Sequence, residues 1–77
     1  MPKLPPVSGN ALVKFLEKQG FEVARQKGSH VSLRKATPEK TYFTVVPLHK
    51  TLAVGTLSGI LRQCGISHED FMGKYRK

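Results

Sequence analysis

Residues 21–34 read FEVARQKGSHVSLR and decide the fold, because a short turn lies between two runs of alternating apolar and polar residues. Alternation with a period of two is typical of half-buried β-strands, and both 21–26 and 30–34 show it. Gly28, between the runs, supplies a positive φ without steric cost. The stretch therefore predicts a β-hairpin whose tight turn is Lys27-Gly28-Ser29-His30.

The second run places His30 on the polar side of this hairpin. A period of two directs Val31 and Leu33 to one face of the strand and His30, Ser32 and Arg34 to the other. The histidine therefore has polar and cationic neighbours, and we expect it to be open to solvent.

The length and the single cysteine limit the class of protein. A chain of 77 residues predicts a single domain over 1–77 and leaves no room for a large cofactor cleft, so no cofactor is expected. Neither a long apolar run nor a signal-peptide pattern occurs, which favours the cytoplasm. A membrane-surface role is disfavoured because no predicted helix pairs a basic face with a broad exposed apolar one. Cys64, the one cysteine, excludes an internal disulfide and is expected to be a small core residue.

The charge points to a polyanionic partner. Thirteen Lys and Arg against five Asp and Glu give a formal net charge of +8, and the excess is concentrated around the hairpin. One interpretation is a solvated hairpin that only keeps the protein soluble; the other is a phosphate-binding face. On the second interpretation the RNA-binding residues are Arg25, Lys27, Gly28, Ser29, Arg34 and Lys35, with His49 as an additional loop candidate.

The chain before the hairpin predicts one helix. Residues 1–7 contain three prolines and are expected to be a flexible lead-in. Ser8 is a plausible N-cap, the apolar residues 11, 12, 15 and 16 form a stripe at helical spacing, and Gly20 ends the helix.

The chain after the hairpin predicts a third strand and two helices. Residues 41–46 are mostly β-branched and aromatic and are followed by Pro47, as at the end of a strand. Helical spacing of apolar residues returns from Gly55 and stops at Gly65. Residues 67–70 read SHED, a capping box that opens a short final helix.

These elements predict an α+β fold in the order α-β-β-β-α, the layout of double-stranded-RNA-binding domains. Three sequential strands form a three-stranded antiparallel sheet, and the two main helices pack on one face of it. The expected core set from the hairpin is Phe21, Val23, Val31 and Leu33. The other face of the sheet stays exposed.

Four segments, taken in order and spacing, resemble a known family. They read LEKQGF at 16–21, RQKGSH at 25–30, VPLH at 46–49 and GTL at 55–57. Together they resemble the HicA (YcfA-like) toxins of prokaryotic type II toxin–antitoxin systems. The resemblance implies a double-stranded-RNA-binding-type fold, an mRNA interferase (endoribonuclease) activity, a HicB-type antitoxin as partner, and His30 as the catalytic residue.

The chemistry at His30 has an alternative. Cleaving RNA without a metal needs a base that removes the 2′-OH proton, and imidazole titrates near neutrality, as that role requires. A non-catalytic RNA-binding module would need the same basic surface but no base. A metal site built from His30, His49, His68 and Cys64 is disfavoured, because no two of them have the spacing of metal ligands.

Overall fold

The computed structural model describes residues 4–75. Within them, three strands lie between a first helix and two further helices, so the predicted α+β order and the short final helix are confirmed. The elements are α1 Gly9–Lys18, β1 Glu22–Lys27, β2 His30–Ala36, β3 Thr41–Pro47, α2 Val54–Gln63 and α3 His68–Tyr75.

The three strands form one antiparallel sheet in the order β1-β2-β3. Gly28 opens the β1–β2 turn with a φ of 59°, which is the reason that glycine is required there. In the β2–β3 turn, the Thr37 amide donates to the Lys40 carbonyl at 2.8 Å, and the Thr37 hydroxyl donates to the same carbonyl at 2.7 Å. Both turns are local, so the sheet is a simple meander.

Local capping sets the ends of α1. The Ser8 hydroxyl accepts a hydrogen bond from the Ala11 amide at 3.0 Å, which satisfies one of the free N–H groups of the first turn. Gly20 follows the last turn with a φ of 97° and redirects the chain toward β1. The sequence predicted both signals correctly.

The core lies between the helices and one face of the sheet. Its buried apolar side chains are Leu4, Val7, Leu12, Phe15, Leu16, Phe21, Val31, Leu33, Val46, Leu52, Leu57, Ile60, Leu61, Cys64 and Phe71. Thr44 is also buried, and its hydroxyl donates to Gln63 Oε1 at 2.7 Å, so no polar group is left unpaired there.

The start of the described chain is packed into this core. Leu4 and Val7 are buried, and the Val7 carbonyl accepts a hydrogen bond from the Leu52 amide at 2.8 Å. This differs from the flexible lead-in expected over 1–7, because two apolar residues among the prolines find a place against the core. Residues 1–3 lie outside the described part of the chain.

Strand β1 contains a β-bulge that the sequence pattern did not predict. Val23 lies opposite Leu33, but Arg25 lies opposite Ser32, so Ala24 is an extra residue on β1. The bulge brings Val23 to the helix side of the sheet. Val23 is nevertheless 43% exposed, because β1 is an edge strand, and its expected place in the core is wrong.

Helix α1 starts in close contact with the chain that leaves β3. The Gly9 amide donates to the His49 carbonyl at 2.9 Å. A Cβ built on Gly9 would overlap the Pro47 carbonyl oxygen and would lie 2.7 Å from the Leu48 Cα. Glycine is therefore required at position 9 to bring α1 against the end of the sheet.

Helix α3 docks through aromatic rings. Phe71 is fully buried and packs edge to face on Phe15, with 4.9 Å between the ring centroids. Tyr75 stacks on Phe71, with 4.8 Å between their ring centroids. His68, at the start of α3, is half-buried, and its Nε2 shares a hydrogen bond of 2.9 Å with the Ser58 hydroxyl. The helix is thus fixed to both α1 and α2.

Candidate nucleic-acid interface

The face of the sheet that points away from the helices is open. Residues that lie directly opposite each other in an antiparallel pair share a face, so the strand register defines its rows. The first row is Lys27, His30 and Pro47; the second is Arg25, Ser32 and Val45; the third is Glu22, Arg34 and Phe43. We call these nine residues the open face.

His30 occupies the end of this face beside the β1–β2 turn. Its side chain is exposed, as predicted, and Lys27 and Pro47 flank it on the neighbouring strands. Gly28 and Ser29, in the turn itself, are exposed too. A Cβ built on Gly28 would meet no atom within 4 Å, so the space around the turn is free for a ligand.

The bulge at Ala24 puts the apolar Val23 and the two cations of β1 on opposite faces of the sheet. The register after the bulge brings Arg25 and Lys27 beside Ser32 and His30. The register before it turns Val23 toward the helices. Strict alternation would put positions 23, 25 and 27 on one face, and the extra residue separates the apolar one from the two cations.

Three of the four cations expected at this site share the open face. Arg25, Lys27 and Arg34 are exposed there, with Glu22 as the acidic neighbour of Arg34. Lys35 is on the opposite side of the sheet. Its Nζ donates to the Gln19 carbonyl at 2.8 Å, at the C-terminal end of α1, so the structure places Lys35 apart from the other three cations.

His49 lies at the same end of the sheet as His30. It follows Pro47, the partner of His30, by two residues, and the Leu48 amide between them donates to the Ser29 carbonyl at 2.7 Å. The backbone of residues 47–49 is thus tied to the hairpin turn. The His49 side chain is exposed.

The sequence prediction missed two apolar members of the open face. Phe43 is 55% exposed and Val45 is 39% exposed, while Thr44 and Val46 between and beside them are buried. Hydrophobicity alone favours burying Phe43 and Val45. The pairing of His30 with Pro47 instead places Phe43 and Val45 on the open face, because it fixes which alternate residues of β3 lie on the same face as His30.

Cys64 and the histidines offer no candidate metal site among the residues that the structure describes. Cys64 is buried, and this burial raises the pKa of its thiol to about 11, so the thiol stays protonated near neutral pH. Within residues 4–75, no three His, Cys, Asp or Glu side chains lie together as a possible metal-binding group.

The architecture and this surface define a class: an α+β protein of the double-stranded-RNA-binding layout, with a basic open sheet face. The chain belongs to the HicA toxin family, because the family model described as HicA toxin of bacterial toxin-antitoxin matches residues 9–66. It is therefore the toxin of a toxin–antitoxin pair, and an antitoxin is its partner. A comparison with curated proteins gives no match.

The matched region contains the whole sheet and the open face. It begins at the first residue of α1 and ends just after α2. Helix α3 lies beyond the match. None of the helices described between residues 4 and 75 has the length and apolarity needed to cross a membrane.

Proposed function

We propose that this toxin is a metal-independent mRNA interferase, an endoribonuclease in which His30 is the general base. The observation that carries the proposal is the exposure of His30 on the open face, in register with Lys27 and one row from Arg25. A base for the 2′-OH and cations for the phosphate are the two things that RNA cleavage without a metal requires. The toxin would act in the cytoplasm, on mRNA.

In the proposed mechanism, His30 moves the proton and the cations of the open face stabilise the phosphate. His30 takes the proton from a 2′-OH, and the freed oxygen attacks the adjacent phosphorus. Lys27 and Arg25 offset the charge that develops on the scissile phosphate, and Arg34 contacts the RNA further along the strand. Gly28 and Ser29 leave room for the phosphate oxygens at the turn. The 5′ oxygen of the next nucleotide leaves and takes up a proton from water. His49 is an additional contact beside the turn.

This mechanism predicts products and a substrate requirement. The purified toxin should cut RNA in the presence of a chelator and leave a 2′,3′-cyclic phosphate, or its hydrolysis product, on the 5′ fragment. A matched strand with one 2′-deoxy nucleotide at the cut site should resist cleavage there, and DNA should not be cut. Mass spectrometry of the fragments checks both. Cleavage at the deoxy position would refute the role of the 2′-OH.

A non-catalytic RNA-binding module remains the competing function. The basic open face would serve it equally well, since phosphate contacts alone bind RNA. Such a module would bind RNA without cutting it, and a His30→Gln variant would keep the affinity. The assignment of the chain to a toxin family favours the nuclease.

We propose further that the antitoxin is of the HicB type and covers the open face. With a formal charge of +8, the toxin favours an acidic partner, and the exposed apolar side chains of Phe43 and Val45 offer contact area beside the cations. A partner seated there would block access to His30.

Chemical protection tests this docking. In the complex with the product of the adjacent gene, diethylpyrocarbonate should modify His30 at least tenfold more slowly than in the free toxin. His68, which lies at the start of α3 and shares a hydrogen bond with Ser58 of α2, serves as the internal control. Peptide mass spectrometry reads both sites. An unchanged rate at His30 would place the antitoxin elsewhere.

A further inference from the structure

Phe43 stands out on the open face because it is a large aromatic side chain on a surface of charged and small residues. More than half of it is exposed, at 55%, and it lies directly opposite Arg34, which in turn lies opposite Glu22. Val45, on the same strand and face, extends the apolar area toward Pro47. The exposed ring is thus continuous with the row that contains His30.

The charges on the open face are unequal along the strands. Near the turn, Lys27 and Arg25 have no acidic residue directly across from them on β2. At the other end, Glu22 lies opposite Arg34 and lowers the positive potential. The turn end therefore suits a phosphate, and the end with Phe43 suits an uncharged, flat group.

We propose that Phe43 is a stacking platform for one unpaired base of the RNA, close to the scissile phosphate. This proposal rests on the proposed ribonuclease function. It adds a residue that binds a nucleotide a few positions away from the cut. Every base has a π-face, so an exposed aromatic ring binds bases with little regard to sequence. Arg34 beside the ring is placed to contact the sugar-phosphate backbone or to stack on the same base.

The distance along β2 between His30 and Arg34, the residue opposite Phe43, matches a few nucleotides of single-stranded RNA. His30 and Arg34 are four residues apart on β2, about 14 Å at the usual rise of a strand. A stacked single strand advances about 3.4 Å per nucleotide, so the base on Phe43 belongs to a nucleotide no more than about four positions from the cut. The substrate must be single-stranded at that point, since paired bases are not available to a ring on a flat sheet.

The alternative occupants fit less well. A second copy of the chain would bring Arg25, Lys27 and Arg34 against the same three cations, which disfavours a symmetric contact. Contact of the same ring with the antitoxin alone is the other outcome, and it is told apart from RNA binding by measuring both affinities of a Phe43→Ala variant.

A tryptophan reporter tests the stacking directly, because the natural chain contains no tryptophan. Phe43→Trp and, as a matched control, Val54→Trp are each made in a His30→Ala chain. Val54 is 66% exposed at the start of α2 and lies outside the open face. A single-stranded oligoribonucleotide should quench the fluorescence of the tryptophan at position 43 and leave that at position 54 unchanged. Inorganic polyphosphate, which has charge but no base, should quench neither.

Affinity measurements complete the test. Phe43→Ala should weaken binding of the oligoribonucleotide by about 5- to 100-fold, Phe43→Tyr should restore it, and binding of polyphosphate should not change. The proposal fails if bound RNA does not quench the tryptophan at position 43, or if Phe43→Ala weakens only the antitoxin complex. Quenching by RNA together with a wild-type toxin that cuts nothing would overturn the nuclease and leave the stacking role standing.

Discussion

His30→Ala should abolish RNA cleavage and growth inhibition while the protein stays folded. A general base contributes about 10²- to 10⁴-fold to a rate, so cleavage should fall by at least about 100-fold. The side chain is exposed at the end of β2 and supports no part of the core, so the free energy of unfolding should change by less than about 0.5 kcal/mol. Initial cleavage rates and thermal melts of the purified variant check the two halves of this prediction.

The control for His30 is a histidine outside the open face. His68→Ala removes the hydrogen bond to Ser58, which joins α3 to α2, and so should lower the melting temperature slightly without changing the rate of cleavage. A folded His30→Ala protein that cuts RNA at the wild-type rate would show that the base is another group.

Gly9→Ala should cause the largest loss of stability among the single glycine substitutions. Its new Cβ would overlap the Pro47 carbonyl and press on the Leu48 Cα, and both are backbone atoms that cannot swing aside. Overpacking of this kind costs about 1–3 kcal/mol, which in a chain of this size lowers Tm by roughly 5–20 °C. Thermal melts followed by circular dichroism measure the shift.

The matched control is the same substitution inside α2. A Cβ on Gly59 meets nothing within 4 Å, so Gly59→Ala should raise the stability by up to about 1 kcal/mol through helix propensity. The two alanines should therefore move Tm in opposite directions. If both variants melt like the wild type, the contact between α1 and the end of β3 is looser than the structure shows.

The sequence predicted the elements of the fold because their signals are local. Ser8 and Gly20 bound α1, Gly28 marks the hairpin turn, and the stripe of α2 has helical spacing. What it did not predict depends on register. The bulge at Ala24 changes which face Val23 shares, and nothing in the alternating pattern signals an extra residue.

The candidate site shows the same division between local and long-range information. The position of His30 beside the turn follows from one strand, and so does its exposure. Lys35 does not share the face of the other three predicted cations, because alternation along β2 turns it to the helix side, where its Nζ bonds the Gln19 carbonyl at the end of α1. Phe43 was missed because its face depends on how β3 pairs with β2, which one strand alone does not reveal.

The bulge in β1 also bears on whether this edge of the sheet can pair with a strand from another molecule. β1 is an edge of the sheet, and all six of its residues are exposed, so it could template a strand from another molecule. The extra residue at Ala24 interrupts the regular row of amides and carbonyls along that edge, and the charged side chains of Glu22, Arg25 and Lys27 flank it. The bulge that places Val23 and the cations of β1 on opposite faces therefore also protects the outer edge of β1 from strand addition and aggregation.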